Sequence, residues 1–232
     1  MLTQPKTPLL STPWNSNISS WKEIRDRLQT PFILPDEVEL HLIRHAETET
    51  NAKNLITGSQ DVKLTANGEK QAIELGKKLD AEYDIAISSN LERSQKTIEL
   101  AIESGQVQVK KLWIEDKRLD ERSLGILEGQ PFKWIPEYEA GDLNYAPDKG
   151  ESYAEVSRRI LCFLLDLAEW IGKNKATKVL ISGHMGPMRI MVGILEQEEY
   201  ASQVLAFSFP NAEVIKLRWR AIKIPGFLHA VI

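Results

Sequence analysis

From residue 38 onward, short apolar runs alternate with longer stretches in which apolar residues recur every three or four positions. The first rhythm is that of strands, the second that of helices packed on one face. It predicts strands over 38–43 (VELHLI), 83–88 (YDIAIS), 107–114 (VQVKKLWI) and 178–183 (KVLISG), with one or two late strands over 213–224. It predicts helices over 65–82, 90–104, 151–173 and 187–195, the second capped by Asn90 or Ser89 and the last with Pro187 in its first turn. Such alternation specifies a three-layer α/β/α sandwich around a mostly parallel central sheet.

The first 36 residues follow another pattern. Pro5, Pro8, Pro13, Pro31 and Pro35 break them up, and a short helix is expected in SSWKEIRDRLQT, capped by Ser19 or Ser20. Trp14 and Trp21 suggest that this arm packs on the rest. The division expected is an N-terminal extension over 1–36 and one domain over 37–232.

Composition narrows the class. The 232 residues are 42% hydrophobic and 27% charged, as in an ordinary globular protein, and a net charge of −4 does not favour a nucleic-acid partner. One cysteine, Cys162, sits in an apolar run and reads as a core thiol, so an intrachain disulfide framework is excluded. No apolar stretch reaches the ~18 residues of a membrane span. The N-terminus lacks the basic and apolar regions of a signal peptide, so the expected location is cytoplasmic. The oligomeric state is not legible.

Ligands of such folds bind beyond the carboxyl ends of the strands. Applied here, that rule selects Arg44 and His45 after the first strand, Arg93 one turn into the helix after the second, and His184 after KVLISG. His41 and His45 lie four apart, but at about 3.3 Å per strand residue they stand roughly 13 Å apart and cannot share a metal. His41 reads as scaffold. His45 is either a core histidine or a reactive imidazole, and its arginine neighbour weighs against a passive role. The glycines of SGHMGPMR allow close backbone approach, and the helix start that follows suits an anion. On residue chemistry alone, the rim binds a phosphate or a carboxylate.

The same residues resemble a known family. LIRHAETETN resembles the RHGE signature of the histidine phosphatase superfamily, with its phosphoglycerate mutase-like fold. LITGSQDVKLTANGEKQA, ISSNLERSQKT, RLDERSLGILEG, GESYAEVSRR and VLISGHMGPMR continue the resemblance in the family's order, from about residue 38 to 195. The resemblance implies His45 as a nucleophile that forms a phosphohistidine, with Arg44 and Arg93 gripping phosphoryl oxygens and His184 stabilising the group in transfer. It implies Glu121 as general acid, then base, in preference to Asp120, which reads as a supporting charge. Asn51, Thr57 and the Met185 N–H would line the phosphate pocket, and Arg122 matches a mutase substrate arginine. No metal or cofactor is implied.

Two departures stand out. Ala46 replaces the usual glycine after the nucleophile and is expected to reduce room there. Thr50 stands where tryptophan is common, a change expected to be superficial.

The resemblance spans phosphatases and mutases. Mutases carry a long basic insertion after the acid loop. Here Ser123–Ser157 holds no arginine, two lysines (Lys133 and Lys149) and seven acids. Leu124 and Phe132 stand where mutases have a tyrosine and a lysine. Hydrolysis of a small phosphorylated metabolite is therefore expected, with mutase-type transfer and a catalytically silent phospholigand-binding protein as alternatives. The segment 129–150 is expected to form a lid, with Phe132, Trp134, Tyr138 and Tyr145 contacting substrate or packing on their own domain.

Overall fold

A computed structural model describes residues 20–27, 37–110, 113–132 and 136–219. The strands are β1 (Val38–Arg44), β2 (Glu82–Tyr83), β3 (Ile85–Ser88), β4 (Gln108–Val109), β5 (Trp113–Glu115), β6 (Lys178–Gly183) and β7 (Val214–Trp219). The helices are α1 (Trp21–Arg27), α2 (Glu49–Ala52), α3 (Ala66–Gly76), α4 (Glu92–Gly105), α5 (Pro136–Glu139), α6 (Tyr153–Asn174), α7 (Met185–Leu195) and α8 (Ala201–Ala206). Five strands form the central sheet in the order β5-β3-β6-β1-β7. All neighbours pair in parallel except β7, which runs antiparallel to β1. The expected mostly parallel sheet with helices on both faces is thus observed.

Each face of the sheet has its own core. Val38, Leu40 and Leu42 of β1 point into a large cluster with α1, α6, α7 and α8. Ile43 points the other way, into a smaller cluster with α3 and α4. Burial on both faces is why these strands read as apolar runs. α6 starts where Ser152 and Glu155 cap each other's backbone amides, a capping box.

Several boundaries differ from expectation, each for a local reason. The helix expected over 65–82 stops at Gly76, because Asp80 turns back to pair with Lys178 and Lys216 across the sheet. The strand expected over 83–88 breaks at Asp84, whose carboxylate accepts the Thr177 and Lys178 amides. The strand expected over 107–114 divides, since Val109 pairs with Tyr83 in a separate two-stranded sheet while Trp113 pairs with Ala86. α4 begins at Glu92 behind Leu91, not behind a Ser89 or Asn90 cap; the Ser89 hydroxyl is bonded to His184 instead. α7 begins two residues before Pro187. Of the late strands, residues 214–219 are observed and 220–224 lie outside the described residues.

The arm is represented by α1. Ser20 Oγ accepts the Glu23 amide at 3.3 Å, as a cap does, whereas Ser19 and Trp14 lie outside the described residues. Trp21 and Ile24 are buried in the larger core, and Trp21 Nε1 donates to the Glu198 carbonyl at 2.8 Å. A side chain at Gly193 of α7 would meet the Trp21 ring at 2.9 Å, so only glycine allows this approach. Among the described residues, no helix is long and apolar enough to cross a membrane. Trp21→Ala is expected to lower the free energy of unfolding by about 3–5 kcal/mol, read from the urea midpoint. A loss below about 1 kcal/mol would place α1 outside the cooperative core.

Candidate active site

Strand pairing brings the candidate residues together. Arg44 lies opposite Gly183, and Ser88 opposite Ser182, so three parallel strands end level with one another. The next residues along these strands are His45, His184 and Ser89. The His45 and His184 rings lie with centroids 5.1 Å apart, and the His45 amide donates to the Gly183 carbonyl at 3.0 Å. Both histidines are buried.

His45 is oriented by its own chain. Its Nδ1 lies 2.8 Å from the Ala46 carbonyl, an acceptor only, so the proton sits on Nδ1 and the Nε2 lone pair is left for chemistry. Burial, and then the charges of Arg93 and Arg44, hold this imidazole well below the ordinary histidine range. His184 is held down in the same way by burial and Arg93. Both rings are therefore neutral at pH 7.

The arginines are fixed through backbone carbonyls. Arg44 donates to the Phe209 carbonyl at 2.6 Å. Arg93, fully buried in the first turn of α4, donates to the carbonyls of Gln60 and Gly58. That loop is held in turn by Glu128, which accepts from the Ser59 amide and hydroxyl and from the Leu124 amide. Gly58 has φ +55 and packs on the Glu128 side chain, where a Cβ would clash. Fixed, permanently charged guanidinium groups beside two neutral imidazoles suit a phosphate-like anion.

Glu121 faces the same cluster. Its Oε1 accepts the Arg122 amide at 2.8 Å and the Gly186 amide at 3.0 Å. Both donors use one oxygen, leaving the other to act on a ligand. Its charge acts on Arg44, Arg93 and Arg122. A Cβ at Gly186 would lie 2.5 Å from Oε1, so glycine at this position is a condition for the placement of Glu121. Asp120 points elsewhere, accepting the Asn90 amide at 2.8 Å.

Arg122 is buried, with its guanidinium carbon 4.4 Å from the Tyr153 ring centre. The Gly186 amide is committed to Glu121 and Pro187 has none, so Met185 supplies the remaining N–H of the first turn of α7. Asn51 Oδ1 accepts the Thr48 amide, capping α2. Thr57 bonds to Thr50 through their hydroxyls, and Thr50 bonds on to Thr48. Thr50 is therefore half-buried and part of a hydroxyl chain rather than a superficial change.

Three contributors were not singled out in the sequence. Asn211 donates to the His45 carbonyl at 2.7 Å and reaches Asn51 Oδ1 at 3.4 Å. Thr97 accepts the Ala46 amide at 2.9 Å. Ser89 meets His184 Nε2 at 2.7 Å. They are common polar residues outside any charged motif; only Ser89 and Thr97 fall inside a block of the resemblance.

His41 is scaffold, as expected, with Nδ1 at 2.7 Å from the Tyr83 hydroxyl. It forms a group with Glu39 and Asp80 whose carboxylates are paired with Lys178 and Lys216. Of the candidate lid aromatics, Phe132 is exposed, Tyr145 is half-buried, and Trp134 and the Tyr138 side chain lie outside the described residues.

Ala46 does not reduce the room at the site. Its methyl belongs to the core shared with α3 and α4, packed with residues such as Ala72 and Ile98, and its φ is negative. Ala46→Gly is expected to cost about 1–2 kcal/mol of stability through a lost buried methyl and a freer unfolded chain. Affinity for inorganic vanadate should be unchanged in a calorimetric titration. Tighter vanadate binding would mean that the methyl intrudes on the ligand.

The model of the histidine phosphatase superfamily (branch 1) matches residues 40–224. A 2,3-bisphosphoglycerate-dependent phosphoglycerate mutase of Bartonella tribocorum is 35% identical over 192 residues, covering 74% of this chain and 89% of that protein. Among solved structures, the phosphoserine phosphatase of Entamoeba histolytica in complex with phosphoserine matches with a TM-score of 0.64 at 26% identity, covering 77% of this chain and 89% of that one. The alpha-ribazole phosphatase of Shigella flexneri matches with a TM-score of 0.65 at 26% identity over the same shares. With its fold, its level strand ends and these matches in agreement, the chain belongs to the histidine phosphatase superfamily, branch 1.

Proposed function

We propose that this protein is a phosphomonoester hydrolase that works through a phosphohistidine on His45 and acts on a small phosphorylated metabolite. The observation that carries the reading is the state of His45: neutral, proton on Nδ1, and Nε2 free beside Arg44 and Arg93. A neutral imidazole is the nucleophilic form; burial first keeps it neutral, and the arginines that add to this also attract the phosphate.

The steps follow from the geometry. His45 Nε2 attacks phosphorus and the bond to the leaving oxygen breaks. Arg44, Arg93, His184 and the Met185 amide bind the phosphoryl oxygens, over which charge spreads during transfer. The Ala46 carbonyl, accepting from Nδ1–H, stabilises the positive charge that the ring gains on phosphorylation. Glu121 protonates the leaving oxygen through the carboxyl oxygen not held by amides. As a carboxylate it then takes a proton from water, the water oxygen attacks phosphorus, and the N–P bond breaks to release phosphate and neutral His45. A positioned acid or base of this kind contributes about 10²–10⁴-fold. Asn51 and Thr57 line the pocket as supporting polar groups.

Hydrolysis is favoured over mutase transfer by the segment after Glu121. It holds seven acids and no arginine between Ser123 and Ser157, a poor surface for a doubly phosphorylated glycerate. The mutase reading keeps two supports of its own: the relatives named as mutases, and buried Arg122 beside the site. The phosphatase neighbours, named for phosphoserine and alpha-ribazole phosphate chemistry, support the hydrolase reading. The division into an arm over 1–36 and a catalytic domain over 37–232, a lid over 129–150 and a cytoplasmic location belong to the same proposal.

The test sets hydrolysis of monophosphates beside isomerisation of phosphoglycerate with its bisphosphate present. Release of inorganic phosphate without isomerisation is expected; dominant isomerisation would replace the hydrolase reading. His45→Ala should form no acid-labile phosphoenzyme and lose turnover, and near-normal turnover would sink the mechanism. Glu121→Gln should lose about 10²-fold or more on alkyl phosphates and far less on aryl phosphates, whose leaving groups need no proton.

A further inference from the structure

Ser89, the residue just beyond β3, has no part in the steps above. Its hydroxyl oxygen lies 2.7 Å from His184 Nε2, and neither residue is exposed to solvent. Among the described residues, the other hydrogen bond of that oxygen is with the Leu91 amide, which donates to it at 3.3 Å. On the opposite side of the imidazole, Nδ1 is buried with no hydrogen-bond partner among the described residues.

Counting protons across this chain leaves one consistent arrangement. The Leu91 N–H can only donate, so it occupies a lone pair of Ser89 Oγ. Of the partners of the Ser89 hydroxyl among the described residues, only His184 Nε2 can take its proton. If Nε2 carried the proton instead, it would donate to Ser89, and the serine hydrogen would be buried without an acceptor. Nδ1 would then turn a lone pair toward the negative oxygens of a bound phosphate. The doubly protonated ring is opposed by burial and by Arg93, Arg44 and Arg159.

We propose that Ser89 donates its hydroxyl proton to Nε2 of His184 and so holds His184 as the Nδ1–H tautomer, the form that offers an N–H to the phosphoryl oxygens. Ser89 is a positioning residue: it touches neither substrate nor reacting atoms and works through His184. The role given to the Nδ1–H rests on the phosphoryl-transfer reading; the tautomer itself rests on the hydrogen bonds alone. The two histidines then carry the same tautomer for different ends. In His45, Nδ1–H points to a carbonyl and frees Nε2 to attack. In His184, Nε2 is capped by a hydroxyl and Nδ1–H is freed to donate.

The test is a two-bond proton–nitrogen correlation spectrum of the full chain labelled with [¹⁵N]histidine. The His184 signals are assigned by their loss in His184→Gln. In the wild type, Nδ1 should be protonated and Nε2 bare; protonation at Nε2 would overturn the proposal with no variant needed. Ser89→Ala should populate the Nε2–H form. It should lower kcat for aryl phosphate hydrolysis by about 10²–10³-fold, the scale of one lost preorganised donor, with little change in KM. Ser89→Thr, which keeps the hydroxyl, should keep the tautomer and most of kcat. A Ser89→Ala protein that retains Nδ1–H and wild-type kcat would also overturn it. The spectrum requires no turnover: bare Nε2 in a wild type that hydrolyses nothing supports the tautomer assignment and sinks the hydrolase reading.

Discussion

The site depends on one register. β1 and β6 pair in parallel with Arg44 opposite Gly183, and the His45 amide extends that ladder by one more bond to the Gly183 carbonyl. Because side chains alternate along a strand, a slip of one residue would turn every side chain of β1 to the opposite face. The apolar residues of β1 prevent the slip, since each face is buried in its own core. The packing that makes β1 a stable strand therefore also sets the separation of the two imidazoles.

A second constraint is electrostatic. Two arginines, one of them wholly buried, sit beside two imidazoles that burial keeps neutral. The arginine charges are answered by carbonyl dipoles, those of Gly58, Gln60 and Phe209, by the carboxylates of Asp61, Asp120 and Glu128 around Arg93, and above all by the carboxylate of Glu121. That carboxylate is itself tied by two amides. The result is a rigid, positive, poorly solvated surface, which suits the transfer of a group whose charge must be stabilised without reorganisation.

The sheet and the charged residues were legible in the sequence because both leave strong local marks. Apolar runs of four to six residues announce buried strands, and ligand sites lie beyond their carboxyl ends, so the sequence alone gathers Arg44, His45, Arg93 and His184 on one rim. Glu121, Asn51, Thr57, Arg122 and Met185 rested on motif resemblance. Asn211, Thr97 and Ser89 were missed for a physical reason. Each acts through a hydrogen bond to a residue at least 51 and up to 166 positions away, and such bonds leave no periodicity or charge pattern. Boundaries failed where a polar side chain overrode propensity: Asp80 ended α3 early and Asp84 split a strand. Ala46, a departure from the family signature, became ordinary once its methyl was found in the core.

The position of β1 in the sheet has a consequence for how the chain assembles. Both of its neighbours, β6 and β7, come from the last third of the sequence. The carbonyl that holds Arg44 belongs to Phe209, and the amide that holds the His45 carbonyl belongs to Asn211. During synthesis, the strand bearing the candidate nucleophile is thus among the first made and the last to be paired. Contacts so distant in sequence close slowly, because loop entropy must be overcome before they form. A nascent chain released before residue 209 would carry every charged group of the site and yet lack the carbonyl that holds Arg44 and the amide that holds the His45 carbonyl.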